Sequence, residues 1–243
     1  MEKIIQGYDG AKHASSSELA SKNKKRGHTL ENEYALRVNG QVILGVGKTD
    51  ILENDDQTTS CKGAKKHIQI LLQSKDQTIN NFGKVHPISR YVESGSKVKF
   101  FKFNNNNKVK TIDFDDWKIK ADELVEWLNN KENLRIVLNY IFSNRKINNI
   151  VILEELVNDA YKYKLEDVID FYVNLQYIVY RTKGCKVVIK SSIPNITNKE
   201  VVIFNFELRG SKGKIGSINY WTDAQRFYKS LKENLPFKII KPK

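Results

Sequence analysis

The stretch from Gln41 to Lys62, QVILGVGKTDILENDDQTTSCK, constrains the fold more than any other part of the chain. QVILGV is apolar but too short for a helix, which marks a buried strand. TDIL continues as extended chain, ENDDQ carries the polar residues of a turn, and TTSCK returns as the next strand. Just upstream, TLENEYALRVNG reads as a short helix. Thr29 is placed to cap it, Leu30, Tyr34 and Val38 share one face, and Gly40 stops it. Residues 9–27 are polar and read as a mobile or weakly helical arm. A helix feeding a strand and then a hairpin mixes both element types, which fits an α/β class.

Further along, GAKKHIQILLQS is compatible with a helix or another strand, and NNFGKVHPISRYV reads as irregular chain. SKVKFFKFNNNNKVKTIDF predicts a hairpin turning at Asn104 to Asn107, where we place a domain boundary: a core over 1–105 and a second region over 106–243. That second region turns helical. DDWKIKADELVEWLNN, KENLRIVLNYIFSN, ILEELVNDAYKY and KLEDVIDFYVNLQ carry apolar residues at three- and four-residue spacing, as at Leu134, Val137, Leu138 and Ile141. YIVYRTKGCKVVIKS then predicts a hairpin around Thr182-Lys183-Gly184. Helices followed by a hairpin outline a winged helix, and an ordinary helical subdomain fits the same pattern. The final segment reads as strand, Gly/Lys-rich turn, strand, and an amphipathic helix from about Thr222.

The chain has 243 residues, enough for one large domain or two modest ones. Lysine and arginine number 41 against 28 acids, a formal charge of +13. Such an excess suits a polyanion, because each neutralised phosphate releases counterions; a Lys/Asn-rich genome is the competing explanation. The two cysteines, Cys61 and Cys185, have no paired spacing for zinc or disulfides, which suggests a reducing cytoplasm. No apolar stretch approaches the twenty or so residues a bilayer span needs, and the first residues lack a signal-peptide core, so no membrane partner is expected.

Four chemistries compete for residues 47–66. A phosphate loop needs glycine five residues before Gly47-Lys48, where Val42 stands, and it should open a helix rather than extended chain. Cysteine catalysis needs an activated thiolate, but strand alternation points Cys61 away from Ser60 and Lys62, as a buried apolar residue. A charged hairpin with no chemistry is the plain alternative. The remaining possibility is a metal site. Asp50 closes one strand, and Ser60 and Lys62 share one face of the next, so the three side chains converge across the turn. An aspartate there can hold Mg²⁺ and a lysine can orient the attacking water, and together they offset charge on a scissile phosphate.

These residues resemble the PD-(D/E)XK nuclease core used by many type II restriction endonucleases. The resemblance covers about residues 27–74 and rests on EN in the first helix, GKTDI, and SCKG. It implies a restriction-endonuclease-like mixed sheet flanked by helices, with a helical or winged-helix-like DNA-recognition region. It also implies Mg²⁺ held by Asp50 and Glu31, and Lys62 as the catalytic lysine. Ser60 stands where a second acid is expected, and a neutral hydroxyl forfeits several kcal/mol of metal attraction, in order of magnitude. Glu31 is the helix acid that offsets this; Glu33, Glu53 and Asp55 are reserves, and Gln69 is a further candidate near the metal.

The expected activity is sequence-specific cleavage of double-stranded DNA, with a two-fold dimer suited to a symmetric site. Lys65 and Lys66 beside the site, and Arg209, Lys212 and Lys214 in LRGSKGKIGSINYW, are candidate DNA contacts. Solvated lysines and a basic turn remain the plain alternatives. Trp221, Tyr220 and Phe227 fit a core better than a stacking role, and His28 and His67 lack metal-ligand spacing. A non-catalytic winged-helix regulator is the competing function, and an RNA-directed nuclease or toxin would share the chemistry.

Overall fold

The computed structural model describes residues 17–43, 50–55, 57–63, 67–98, 100–103, 106–109, 111–143, 147–154, 159–211 and 214–242. The first helix, α1, runs over Ser17–Val38 and starts well before Thr29. The expected arm is therefore helical from Ser17. Thr29 is not its cap, and its hydroxyl donates to the Lys25 carbonyl one turn back at 3.1 Å. Leu30, Tyr34 and Val38 do form the packed stripe, with Ala35 beside them. The stop belongs to Asn39, which takes the left-handed conformation (φ 50°). Gly40 is needed for another reason: a Cβ there would sit 2.8 Å from the Leu52 carbonyl oxygen.

A six-stranded mixed sheet lies under α1. It contains β1 (Gln41–Val42), β2 (Ile51–Leu52), β3 (Thr58–Gly63), β7 (Asn149–Glu154), β8 (Asp159–Lys164) and β13 (Lys238–Ile240), in the order β1-β2-β3-β7-β8-β13. The hairpin between β2 and β3 is the expected one, pairing Ile51 with Thr59 and Leu52 with Thr58. β3 and β7 run parallel, and the other neighbours are antiparallel.

The second sheet is antiparallel throughout, in the order β4-β12-β11-β10-β9. It comprises β4 (His67–Ser74), β9 (Tyr177–Arg181), β10 (Val187–Ile193), β11 (Thr197–Ser211) and β12 (Lys214–Asp223). Between β4 and β7 the chain forms α2 (Lys75–Phe82), α3 (Pro87–Lys97), the hairpin β5 (Phe100–Phe103) and β6 (Asn106–Val109), α4 (Thr111–Leu128) and α5 (Lys131–Ser143). α6 (Leu165–Asn174) follows β8, and α7 (Ala224–Asn234) follows β12. Strands from both sides of residue 105 enter each large sheet. None of the described helices is long and apolar enough to cross a membrane.

Two expectations need correction. The segment read as irregular, residues 80–92, ends α2 and opens α3, and short-range caps specify both helices. Ser74 accepts from the Gln77 N–H at 3.2 Å and Gln77 accepts from the Ser74 N–H at 3.1 Å, a capping box, while His86 caps α3 with Pro87 in its first turn. The segment ILEELVNDAYKY was expected to be helical, but its described residues end β7 and form β8. Ile150 and Ile152 enter the main core on one face, Val151 and Leu153 pack under α1 on the other. A strand buried on both faces loses its period-two signature, so helical spacing arises by coincidence.

The main core fills the space between the second sheet, α3 to α7 and the far face of β7 and β8. Packing leaves no room for a side chain at Gly95 of α3, where a Cβ would collide with Leu208 of β11 and come within 2.9 Å of Trp117 Nε1. Alanine normally improves a helix interior by about 1 kcal/mol. Here overpacking of about 1–3 kcal/mol outweighs that gain. Gly95→Ala is expected to lower stability measurably in thermal unfolding, and a variant as stable as the parent would contradict this packing.

Candidate active site at the β2–β3 hairpin

Asp50 enters β2 already anchored. Its N–H donates to the Thr59 carbonyl at 3.1 Å, and its carbonyl accepts from the Ile43 N–H at 2.9 Å. Alternation then divides the hairpin. Ile51 and Glu53 turn toward α1 and are buried, as are Thr59 and Cys61. Asp50, Ser60 and Lys62 share the opposite face.

On that face the three side chains meet. Asp50 Oδ2 accepts from the Ser60 hydroxyl at 2.9 Å, from the Cys61 N–H at 2.7 Å and from Lys62 Nζ at 3.4 Å. Lys62 Nζ also donates to Ser60 Oγ at 2.6 Å and to the Cys61 carbonyl at 3.1 Å. The ion pair is about one-fifth exposed on each side, 19% for Lys62 and 17% for Asp50. Ser60, where an acid was expected, bridges the two charged groups as donor to one and acceptor from the other. Both charges are therefore held in place yet within reach of solvent.

Glu31 lies on α1 one turn before the buried Ala35. Its carboxylate pairs with His28 Nδ1 at 3.0 Å and is one-fifth exposed. Among the described residues it makes no hydrogen bond to Asp50, Ser60 or Lys62. Its field nonetheless reaches the hairpin. Burial pushes the Cys61 thiol well above its ordinary pKa, the negative charges of Asp50, Glu31 and Glu53 add to the rise, and Lys62 opposes it. Cys61 is thus a buried, protonated thiol and no nucleophile. Cys185 is likewise buried, its thiol pushed up to about 12.

Glu53 and Asp55 are not part of this constellation. Asp55 accepts from the Gln57 N–H at 3.4 Å within its own turn. Glu53 is buried on the α1 side, where Oε1 accepts from Tyr34 and Thr59 hydroxyls and Oε2 from Lys162 Nζ at 2.8 Å. Desolvation, then the Glu53 charge, pushes the Tyr34 phenol well above its ordinary range. Lys162, which the sequence did not bring forward, closes this second network. The parity of Glu53 with Ile51 was the one local signal that it faces inward.

The remaining candidates fall elsewhere. Gln69 lies on β4 in the second sheet, opposite Trp221. Arg209 is exposed on β11, its Nε and Nη2 within 3.2 and 3.0 Å of the Asn219 amide oxygen in the orientation that satisfies both groups. Lys214 opens β12 opposite Ser211. Lys65, Lys66 and Lys212 lie outside the described residues.

No protein-family model matches the chain, and no curated protein matches it. The case for a function therefore rests on the residues themselves. Among the described residues no group of three or more histidine, cysteine, aspartate or glutamate side chains is placed to hold a metal ion. The available oxygen donors are Asp50, whose Oδ1 takes no hydrogen bond from a described residue, and Glu31, which among the described residues is held by the exposed His28 alone.

Proposed function

We propose that the chain is a Mg²⁺-dependent endonuclease of double-stranded DNA, similar in its chemistry to the PD-(D/E)XK restriction enzymes. The observation that carries this reading is the junction of Asp50, Ser60 and Lys62, where a carboxylate and an ammonium share one hydroxyl at a partly exposed strand edge.

The donor set fits Mg²⁺ held by one or two carboxylates with water completing the shell, the usual arrangement at phosphate-processing sites. Asp50 would hold it through Oδ1; Glu31, carried by α1 on the other face of the sheet, would have to leave His28 and reach round the strand edge to join it. The ion, when bound, stabilises charge on the phosphate and acidifies a water molecule. The chain's own residues do the rest. Lys62 presents N–H donors on the same side as the carboxylate, where they orient a water or offset charge on a phosphate oxygen. Ser60 and the Cys61 N–H keep Asp50 from rotating away, and Ser60 holds the ammonium 2.6 Å from its oxygen. The neutral serine leaves the site one charge short, which the helix acid Glu31 offsets.

Arg209, Lys212, Lys214, Lys65 and Lys66 would contact phosphates, and a two-fold dimer would match a symmetric DNA site. The test is digestion of a plasmid of known sequence with and without Mg²⁺, followed by mapping of the ends. Discrete fragments that need Mg²⁺ are the expected result. Intact DNA across a range of salt, pH and divalent ions, with salt-sensitive binding, would instead make the protein a non-catalytic DNA-binding regulator.

A further inference from the structure

The outer face of the five-stranded sheet is not used by the site at β2–β3. Its inner face is filled by Phe204, Phe206, Leu208, Ile218 and Tyr220. Alternation turns their neighbours outward. The register sets Trp221 beside Asn205, Asn205 beside Val188, and Val188 beside Tyr180, so both rings lie on one surface. Leu72 on β4 and Ile178 on β9 flank it, 47% and 50% exposed, while Asn205 and Val188 between the rings are covered by their neighbours, so the flanks and the two rings are what meet solvent.

Both rings are half-buried and accompanied by cations. Lys186 Nζ lies 5.5 Å from the Trp221 ring centroid, and Lys190 Nζ lies 4.7 Å from that of Tyr180. The Trp221 N–H donates to Glu207 Oε2 at 2.8 Å, which fixes the indole and engages the carboxylate. Exposed Arg209 lies two residues along the same face.

We propose that this face binds an unpaired DNA strand. Trp221 and Tyr180 are three strand-to-strand steps apart, about 14 Å, so each ring takes its own base. A duplex hides its base faces, whereas an open strand offers them for stacking. The two lysines now cover the ring faces. A base that takes a ring displaces the ammonium, and the flexible stem carries it to the phosphate beside that base. At these positions three cations face one carboxylate already bonded to the indole, and the chain as a whole carries +13. The choice of DNA over RNA rests on the nuclease reading; the stacking surface does not.

The test uses the full chain in EDTA, so that no cleavage intervenes. A fluorescein-labelled thymidylate 20-mer is titrated while anisotropy and tryptophan emission are recorded. Stacking contributions of this kind predict a Kd about tenfold weaker in Trp221→Ala and again in Tyr180→Ala. In Trp221→Phe the emission quench is lost while most of the affinity stays. Lys186→Ala combined with Lys190→Ala flattens the salt dependence. Melting curves establish that each variant is folded, and Trp221→Phe with Tyr180→Ala stands in if Trp221→Ala is not. Equal Kd values for parent and ring variants, binding of a duplex of the same length weakened as much as that of the 20-mer by the ring substitutions, or tighter binding of the matching RNA would each overturn the proposal. A chain that binds the 20-mer as expected but leaves plasmid intact loses only the nuclease reading. One that cuts, with ring variants binding like the parent, loses only this surface.

Discussion

Asp50→Asn is expected to lower Mg²⁺-dependent cleavage by about 10²–10³-fold, the scale of removing one preorganised electrostatic group from a reaction centre. Asparagine keeps the size of the side chain but removes the charge. Three donors converge on Oδ2, and a neutral amide can satisfy them in only one of its two orientations. The Lys62 ammonium would then face no carboxylate, and any divalent ion would lose its strand ligand. Lys62→Met should fall by a similar factor while retaining DNA binding. The double variant should be little worse than either single one, because groups that act as a unit are not additive. Initial rates on a supercoiled plasmid, with binding measured in parallel, decide the matter. An Asp50→Asn protein that cuts within threefold of the parent would remove this residue from the chemistry.

The second large effect concerns stability. Glu53→Ala is expected to cost about 3–5 kcal/mol, the range for breaking a buried ion pair from one side. Glu53 is 8% exposed and Lys162 13%, so the ammonium left behind cannot reach water freely. The Tyr34 and Thr59 hydroxyls would lose their common acceptor as well. Glu53→Leu with Lys162→Met should recover most of the loss, since removing both charges leaves neither uncompensated. Urea unfolding midpoints of the single and double variants give the comparison. A Glu53→Ala protein within about 1 kcal/mol of the parent would show that water already reaches this pair. The network also joins α1, the β2–β3 turn and β8, so a loosened Glu53 should loosen the helix that carries Glu31.

The junction of Asp50, Ser60 and Lys62 was legible because its three residues are local to one hairpin. Ten positions and one turn separate Asp50 from Ser60, period-two alternation places Ser60 and Lys62 together, and the same rule hides Cys61. The Glu53 network was half legible. Its inward direction follows from Ile51, but its partner Lys162 is 109 residues away and no spacing rule connects them. The run that begins at Ile152 was misread for a related reason. Whether such a run is strand or helix depends on what covers it, and here α1 covers one face while the main core covers the other.

Local sequence, then, determined the hairpins, the helices with an apolar stripe, and the meeting of one carboxylate, one hydroxyl and one ammonium. These depend on dihedral preferences and on side-chain periods that operate over a few residues. Tertiary structure alone decided that β3 pairs in parallel with β7, that β4 leaves its neighbour β3 for a different sheet, and that Trp221 meets solvent while Tyr220 does not. Each of those outcomes depends on apolar area removed from water by distant segments, and that free energy belongs to the assembled layers rather than to any stretch of chain.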